Sequence, residues 1–299
     1  MFTLIFASIA NIQAYLNEGI QTQDFLLNLS RILIPAILLA FFSQALVTQT
    51  ENKTFQWIRD FTPFLFVLVI YFNIQDTIFL INPNDVHHAL AELDHTFFGT
   101  QPSVWMEQYY HPRLTDWFAL SYLNYYVISL ILLILLYHRK QFQVFRIVMV
   151  TLMVSYYMGF IGYMFFPASS PYLVMSDLYQ VDIWQNTSLI SWLTESVVNL
   201  APYRVRDAFP SMHNAITLLT MIMAWRYHRP LFWVQLPLAL SLAPATVYLR
   251  YHYVVDIFAA LPVVALAFFL TPRLEKRWMH FQKQLPSMAK NIKNSGVTP

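Results

Sequence analysis

The sequence predicts an all-α, polytopic membrane helical bundle, on three observations. Hydrophobic residues make up 57% of the 299-residue chain and charged residues only 11%, with a mean hydropathy of +0.45; a soluble domain carries about a quarter charged residues. Apolar runs of roughly spanning length recur along the whole chain. Aromatic residues, 17% of the total, crowd the flanks of those runs, as interfacial belts do. The chain has no cysteine, which removes disulfides, thiolate metal sites and cysteine nucleophiles. A net charge of +2, with no basic run interleaved with aromatics outside the C-terminal tail, excludes nucleic acid as a partner.

Taken in order, residues 1–15 are apolar but lack the basic n-region of a secretory signal, since no Lys or Arg precedes Arg31. We read them as an uncleaved, interfacial segment. Apolar segments follow at 26–47, 61–81, 117–137, 144–166, 209–225, 231–249 and 253–270, most of them close to the ~20 residues a spanning helix needs. Short connections and the absence of Gly-rich linkers group residues 61–271 into one membrane domain. It is preceded by N-terminal membrane segments (1–60) and followed by a basic tail (272–299).

Charge sets the orientation. The alternation of segments puts Lys53, Arg59, Arg139, Lys140, Arg146, Arg226, Arg229, Arg273, Lys276, Arg277, Lys283, Lys290 and Lys293 on one side, which is therefore cytoplasmic. Arg204, Arg206, His213, Arg250, His252 and Asp256 then fall at the outer, periplasmic or lumenal, ends of helices. We expect a bacterial inner membrane in preference to a eukaryotic organelle; the sequon Asn186-Thr187-Ser188 has meaning only in a eukaryotic lumen. Two outer loops are long. In 82–116, apolar residues keep near-helical spacing, which predicts short helices lying flat in the interface. The loop 167–208 opens on Pro167 and Pro171, which end the preceding helix, and carries an amphipathic piece near 186–200.

The chemistry-bearing residues gather at that outer end. His252 and Asp256 are four apart, so a helix stacks them on one face. The carboxylate can then hold one ring nitrogen and leave the other as a lone-pair donor. His213 opens the 209–225 helix, where Pro210 and Ser211 suit a helix start and free N–H groups favour an anion. Arg250, Arg204 and Arg206 lie nearby in sequence and, with Ser211, are candidate phosphate-binding groups. Two histidines, an aspartate and arginines at a helix N-terminus describe phosphoryl transfer without a metal. One histidine attacks phosphorus, the other protonates the leaving alkoxide, and the arginines hold the equatorial oxygens. That chemistry asks the two imidazoles to face each other across a gap the size of one phosphate. Either histidine taken alone is as readily a structural interhelical contact; the joint pattern on one predicted face points to a site.

Pro210-Ser211-Met212-His213 resembles the P-S-x-H motif of the type 2 phosphatidic acid phosphatase superfamily of integral membrane enzymes. Residues 247–256, which end Arg250-Tyr251-His252-Tyr253-Val254-Val255-Asp256, resemble the following motif, in which three residues separate His and Asp. The resemblance, over roughly residues 60–271, implies a six-helix core and cofactor-free cleavage of a lipid phosphoester through a phosphohistidine. Carried over, His252 is the nucleophile, Asp256 its orienter and His213 the general acid, then base. The superfamily's first motif, a Lys followed by Arg-Pro, is not visible, and Thr246 stands where an Arg usually opens the last motif. These departures look more like the aureobasidin-sensitive inositol phosphorylceramide synthase branch. So do Leu93-Asp94-His95-Thr96-Phe97-Phe98-Gly99 followed by Pro102, the stretch from Tyr163 to Pro171, and the wording of 249–256. This implies a phospholipid donor and a lipid alcohol acceptor. Hydrolysis by water, on a phosphatidate-like or isoprenyl-phosphate-like monoester, is the alternative. A non-catalytic lipid-binding relative is the other; it predicts that His213, His252 or Asp256 be missing, and all three are present.

Weaker signals remain. Asp76, Tyr163 and Tyr248 are candidate substrate contacts, Asp76 being equally well an interhelical hydrogen bond of ~0.6 kcal/mol. The spacing of His87, His88, Glu92 and His95 fits no zinc signature, so no metal is expected. Pro237 and Pro244 kink or shape one helix.

Overall fold

A computed structural model describes residues 53–199 and 206–294 of the chain. The predicted segments at 1–15 and 26–47, and Arg204, lie outside the described residues. The described residues form an all-α membrane bundle with no strand among them. Its long helices are α1 (Lys53–Ile81), α3 (Pro112–His138), α4 (Phe142–Phe165), α6 (Met212–Tyr227), α7 (Arg229–Tyr248) and α8 (Val254–Asn294). The loops carry α2 (His87–Phe98) and α5 (Leu189–Asn199), with single turns at Pro102–Trp105, Met106–Tyr109, Pro171–Val174 and Ser176–Leu178. The short helices expected in both outer loops are therefore present.

Four helical stretches among the described residues are long and apolar enough to cross a membrane: Pro112–His138, Phe142–Phe165, Arg229–Tyr248 and Val254–Arg277. Two boundaries differ from the sequence reading. Helix α1 is already helical at Lys53, ahead of residue 61, and carries Pro63 inside it. Helix α8 does not stop near residue 271 but runs on to Asn294, through Pro272 and Pro286. Helix α6 has 16 residues, about 24 Å of rise against a hydrocarbon core of ~30 Å. Pro210 before it and Pro230 after it fix its bounds.

Helix α6 is central. It packs against α3, α4, α7 and α8, while α1 covers α4 and α5 covers α3. Its buried face is Ala215, Ile216, Leu219, Met223 and Ala224, set against Leu132, Leu136, Val148, Leu152, Ala260 and Ala267 of the neighbouring helices. One polar tie crosses this core, Ser129 Oγ to Thr220 Oγ1 at 2.8 Å. Small residues let helices approach where no hydrophobic force drives them together. Glycine does this at the α4–α6 contact: a Cβ on Gly159 would overlap the Met212 side chain, and one on Gly162 would overlap Pro210. The start of α6, with its Pro-Ser-Met-His stretch, is thus seated on α4.

Candidate active site

Three backbone devices bring His213 and His252 together. The first closes α7. Arg250 adopts a left-handed conformation (φ 67°), the residue position at which helices commonly terminate. The N–H groups of Tyr251 and His252 return to the Thr246 carbonyl at 3.0 and 3.1 Å. This turns the chain before α8 begins. The second ties the two motifs directly, with Ser211 N–H donating to the Asp256 carbonyl at 3.2 Å. The third is a short pairing of the two outer loops: Ala208 N–H donates to Ala168 O at 3.0 Å, and Ala168 N–H to Arg206 O at 3.4 Å.

His252 is 3% exposed and Asp256 is fully buried. His252 Nδ1 faces two acceptors, the Ala208 carbonyl at 2.8 Å and Asp256 Oδ2 at 3.3 Å. A ring nitrogen between two acceptors carries the proton, which leaves Nε2 as the lone pair. Asp256 Oδ2 also accepts the Tyr253 N–H at 2.9 Å. His252 Nε2 meets His213 Nδ1 at 3.0 Å, with the rings inclined at 63°; the tautomer of His252 makes His213 the donor. The two imidazoles do face each other at one end of the bundle, as the sequence reading requires. They touch, however, and leave no phosphate-sized gap. A reacting phosphorus needs about 3–3.5 Å to its nucleophile, so phosphoryl transfer between these rings would require them to part.

Helix α3 encloses His213. Tyr122 stacks on it (4.5 Å between centroids, 26°), Tyr125 lies over it at 4.2 Å, and Tyr126 meets it edge-on at 6.1 Å. Aromatic rings packed on the imidazole from three positions keep it in one orientation. The i, i+3, i+4 spacing of these tyrosines puts them on one helix face, a signal present in the sequence that the reading above does not use.

The arginines stand elsewhere. Arg250 Nη2 donates to Glu107 Oε1 at 2.6 Å and to Val181 O at 2.6 Å, and the guanidinium lies 3.9 Å over the Tyr179 ring. Burial pulls its pKa below the ordinary value, against the opposing Glu107 charge. Arg206 Nη1 donates to Pro83 O at 2.8 Å, and its Nε lies 3.5 Å from Asp85 Oδ2. Both bind loop carboxylates rather than the histidine pair. Ser211 caps α6, accepting from Asn214 N–H and from Asn214 Nδ2 at 3.0 Å. Asn214 Nδ2 also reaches Thr246 Oγ1 at 3.2 Å, so an amide–hydroxyl pair stands at the position where the resemblance leads one to expect an Arg. Tyr163 is buried in the main core. Tyr248 Oη bonds Thr115 Oγ1 at 2.8 Å and its ring packs on Phe118; neither tyrosine hydrogen-bonds the pair. Asp76 falls within α1, with its side chain outside the described residues.

Two loop carboxylates were not anticipated as part of the site. Asp94, in α2, accepts the N–H groups of Val254 and Val255. Asp85 holds Ser169 through both backbone and hydroxyl. His87 Nδ1 lies 2.8 Å from Asp85 Oδ1, and no metal-holding cluster occurs among the described residues.

No curated protein and no solved structure matches the chain. Residues 88–270 match the PAP2 superfamily. The matched stretch is well over half of the sequence and runs from the helix that carries Asp94 to the apolar end of α8. The histidine pair, its carboxylate and most of the loops that hold them therefore fall inside a single family match, and the chain belongs to the PAP2 superfamily.

Proposed function

We propose that this protein is a membrane lipid phosphotransferase, moving a phosphorus-bearing headgroup from a phospholipid to a lipid alcohol at the outer leaflet. Members of the superfamily are generally phosphatases or phosphotransferases acting on lipid phosphates. The observation that carries the reading is the chain Asp256–His252–His213, with His252 Nε2 free of its proton and 3.0 Å from His213 Nδ1.

In this mechanism His252 Nε2 attacks phosphorus, and the bond from phosphorus to the leaving oxygen breaks. Protonated His213 gives its Nδ1 proton to that oxygen, general acid help of about 10²–10⁴-fold. The phosphorylated His252 ring carries positive charge, which buried Asp256 offsets. His213, now neutral, takes the proton of the incoming hydroxyl, whose oxygen attacks phosphorus and frees His252. Transfer is favoured over monoester hydrolysis by charge. Arg250 and Arg206 are engaged by Glu107 and Asp85, and a phosphodiester brings one negative charge where a phosphomonoester brings close to two. The likeness to the inositol phosphorylceramide synthase branch points the same way, and the distribution of basic residues supports an outward-facing site.

The test uses purified protein with phospholipid labelled at phosphorus. His252→Ala abolishes turnover in a folded protein, and an acid-labile phosphorus label on the wild type is lost in that variant; retained turnover refutes the nucleophile. Product analysis decides the acceptor. A new phospholipid supports transfer, while free phosphate or a water-soluble phosphorylated headgroup identifies hydrolysis.

A further inference from the structure

We infer that one hydrocarbon chain of the phospholipid that meets His252 lies in a groove between α6, α7 and α8, with its acyl carbonyl at Thr217. The proposal rests on the phosphotransfer reading for its choice of lipid. Two cavities form the groove. One, of about 410 Å³, begins at Asn214 and ends between Trp225 and Phe232. The other, of about 470 Å³, lies between the first turn of α8, the end of α7 and the loop residues Phe98 and Trp105. Ala243 and Ile257 line both, so the two are contiguous. Each falls within the ~300–1,000 Å³ range of small-ligand sites.

The cavities are lined by residues next in the chain to the site, not by the histidines themselves. Asn214 follows His213 and bonds Ser211 and Thr246; Ile257 follows Asp256. From Asn214 to Trp225 is eleven residues, about 16 Å of helix rise and roughly half of a ~30 Å hydrocarbon core. The lining is apolar but for Asn214, Thr217 and Thr100. Thr217 gives the groove chemical direction. It is 4% exposed, stands one turn below His213, and its Oγ1 is buried with no hydrogen-bond partner among the described residues. A buried hydroxyl without a partner is costly. The carbonyl joining an acyl chain to its backbone, a short distance from the phosphate, is an acceptor at the right depth, whether the linkage is ester or amide.

The experiment uses the full chain in nanodiscs with a diacyl phospholipid bearing a photoactivatable group near the end of one chain, and crosslinks mapped by mass spectrometry. Label concentrated near Trp225 and Phe232 is expected; label spread evenly over the lipid-facing helices overturns the proposal. Ala239→Phe fills the groove and lowers the long-chain to short-chain ratio of kcat/KM severalfold, whereas Leu236→Ala widens it and shifts the ratio the other way. Unchanged ratios in both overturn the proposal. Thr217→Val raises KM for a diacyl donor and not for its dialkyl ether analogue; equal effects on the two remove the carbonyl contact. The labelling is repeated in His252→Ala, which needs no turnover. Focused label there supports the groove even where the activity assay refutes the phosphotransfer reading, and dispersed label sinks the groove while leaving that reading standing.

Discussion

Asp94 caps the helix that carries Asp256: its two carboxylate oxygens accept the N–H groups of Val254 and Val255 at 2.8 and 3.0 Å. These are among the first N–H groups of α8, which have no partner inside the helix, and a carboxylate also complements the positive end of the helix dipole. Asp94 is 1% exposed and reaches α8 from the outer loop, so α2 and the site stand or fall together. Asp94→Ala should lower stability by about 1–2 kcal/mol, as lost caps do, and should lower turnover further by loosening Asp256. Asp94→Asn, which keeps an acceptor for one N–H, should fall between. Thermal unfolding in detergent beside the phosphotransfer assay checks both; an Asp94→Ala protein with wild-type Tm would contradict the cap.

Asp256 and the Ala208 carbonyl share the task of holding His252 Nδ1, and the carbonyl is the nearer, at 2.8 Å against 3.3 Å. Ala208 alone is enough to fix the tautomer. On the proposed mechanism the part left to Asp256 is charge, offsetting the cation that would form on His252. Asp256→Asn should therefore keep KM near wild type and reduce kcat by roughly 10²-fold, the scale of losing one preorganised electrostatic partner. His252→Ala should leave nothing measurable. Steady-state kinetics of the two variants separates these cases; equal losses would mean that the carboxylate also sets the geometry.

Most of the bundle was legible because hydropathy reports burial along one helix at a time. The stretches 117–137, 144–166 and 231–249 sit inside α3, α4 and α7 to within a residue or two. His252 and Asp256 were legible because i, i+4 spacing is a local property. What was not legible are contacts between residues far apart in the chain. Nothing near Arg250 in sequence announces Glu107 or Val181, and the phosphate role expected for it rested on its being two residues from His252. The left-handed turn at Arg250 instead sends its side chain to the loop while His252 turns inward. Asp94 entered only as part of a family-like string, since its partners are N–H groups 160 residues away. The closure of the two rings onto each other was also unforeseeable, because it depends on how residues 39 apart in the chain are packed together.

Arg250 and Glu107 are 12% and 10% exposed at their side chains and lie 2.6 Å apart. Breaking a buried pair from one side leaves the other charge uncompensated, at about 3–5 kcal/mol. Glu107 also accepts the N–H groups of Gln180 and Val181, so the pair braces the 167–208 loop against the 82–111 loop. As a brace, Arg250→Ala and Glu107→Gln should lower Tm by similar amounts and affect turnover together. As a phosphate ligand, Arg250→Ala alone would raise KM while Glu107→Gln would not. The comparison of the two variants decides between them.

Gly159 and Gly162 test how closely α4 must approach α6. A methyl at 159 meets the Met212 side chain, which is flexible and can rotate away. A methyl at 162 meets Cδ of Pro210, part of a rigid ring. Overpacking costs about 1–3 kcal/mol, so Gly162→Ala should be the more destabilising and should displace Ser211 and His213 as well. Gly159→Ala should be milder. Unfolding midpoints of the two, with turnover measured at a temperature where both are folded, check the order; the reverse order would show that α6 is not seated on α4 through Pro210.

Asp85 links acid stability to the site. It is partly buried, which would raise its pKa, but hydrogen bonds from the Ser169 hydroxyl, the His87 N–H and the Ser169 N–H outweigh burial and hold the carboxyl below its ordinary value. A carboxyl whose pKa is lower folded than unfolded stabilises the fold at pH values above the unfolded pKa of ~3.9. That contribution is lost as the pH falls through the lower, folded value. Wild-type stability should therefore decline below about pH 4 in part through Asp85, and Asp85→Asn should be less stable at pH 6 yet lose less on acidification. Tm measured from pH 6 down to pH 3 gives the two curves, which should converge at the acid end; parallel curves would remove Asp85 from the acid response. Ser169 lies beside Ala168, which pairs with Ala208, and the Ala208 carbonyl holds His252. Release of Asp85 should thus loosen His252 before the bundle melts, so activity in Asp85→Asn should fall at a lower temperature than its unfolding.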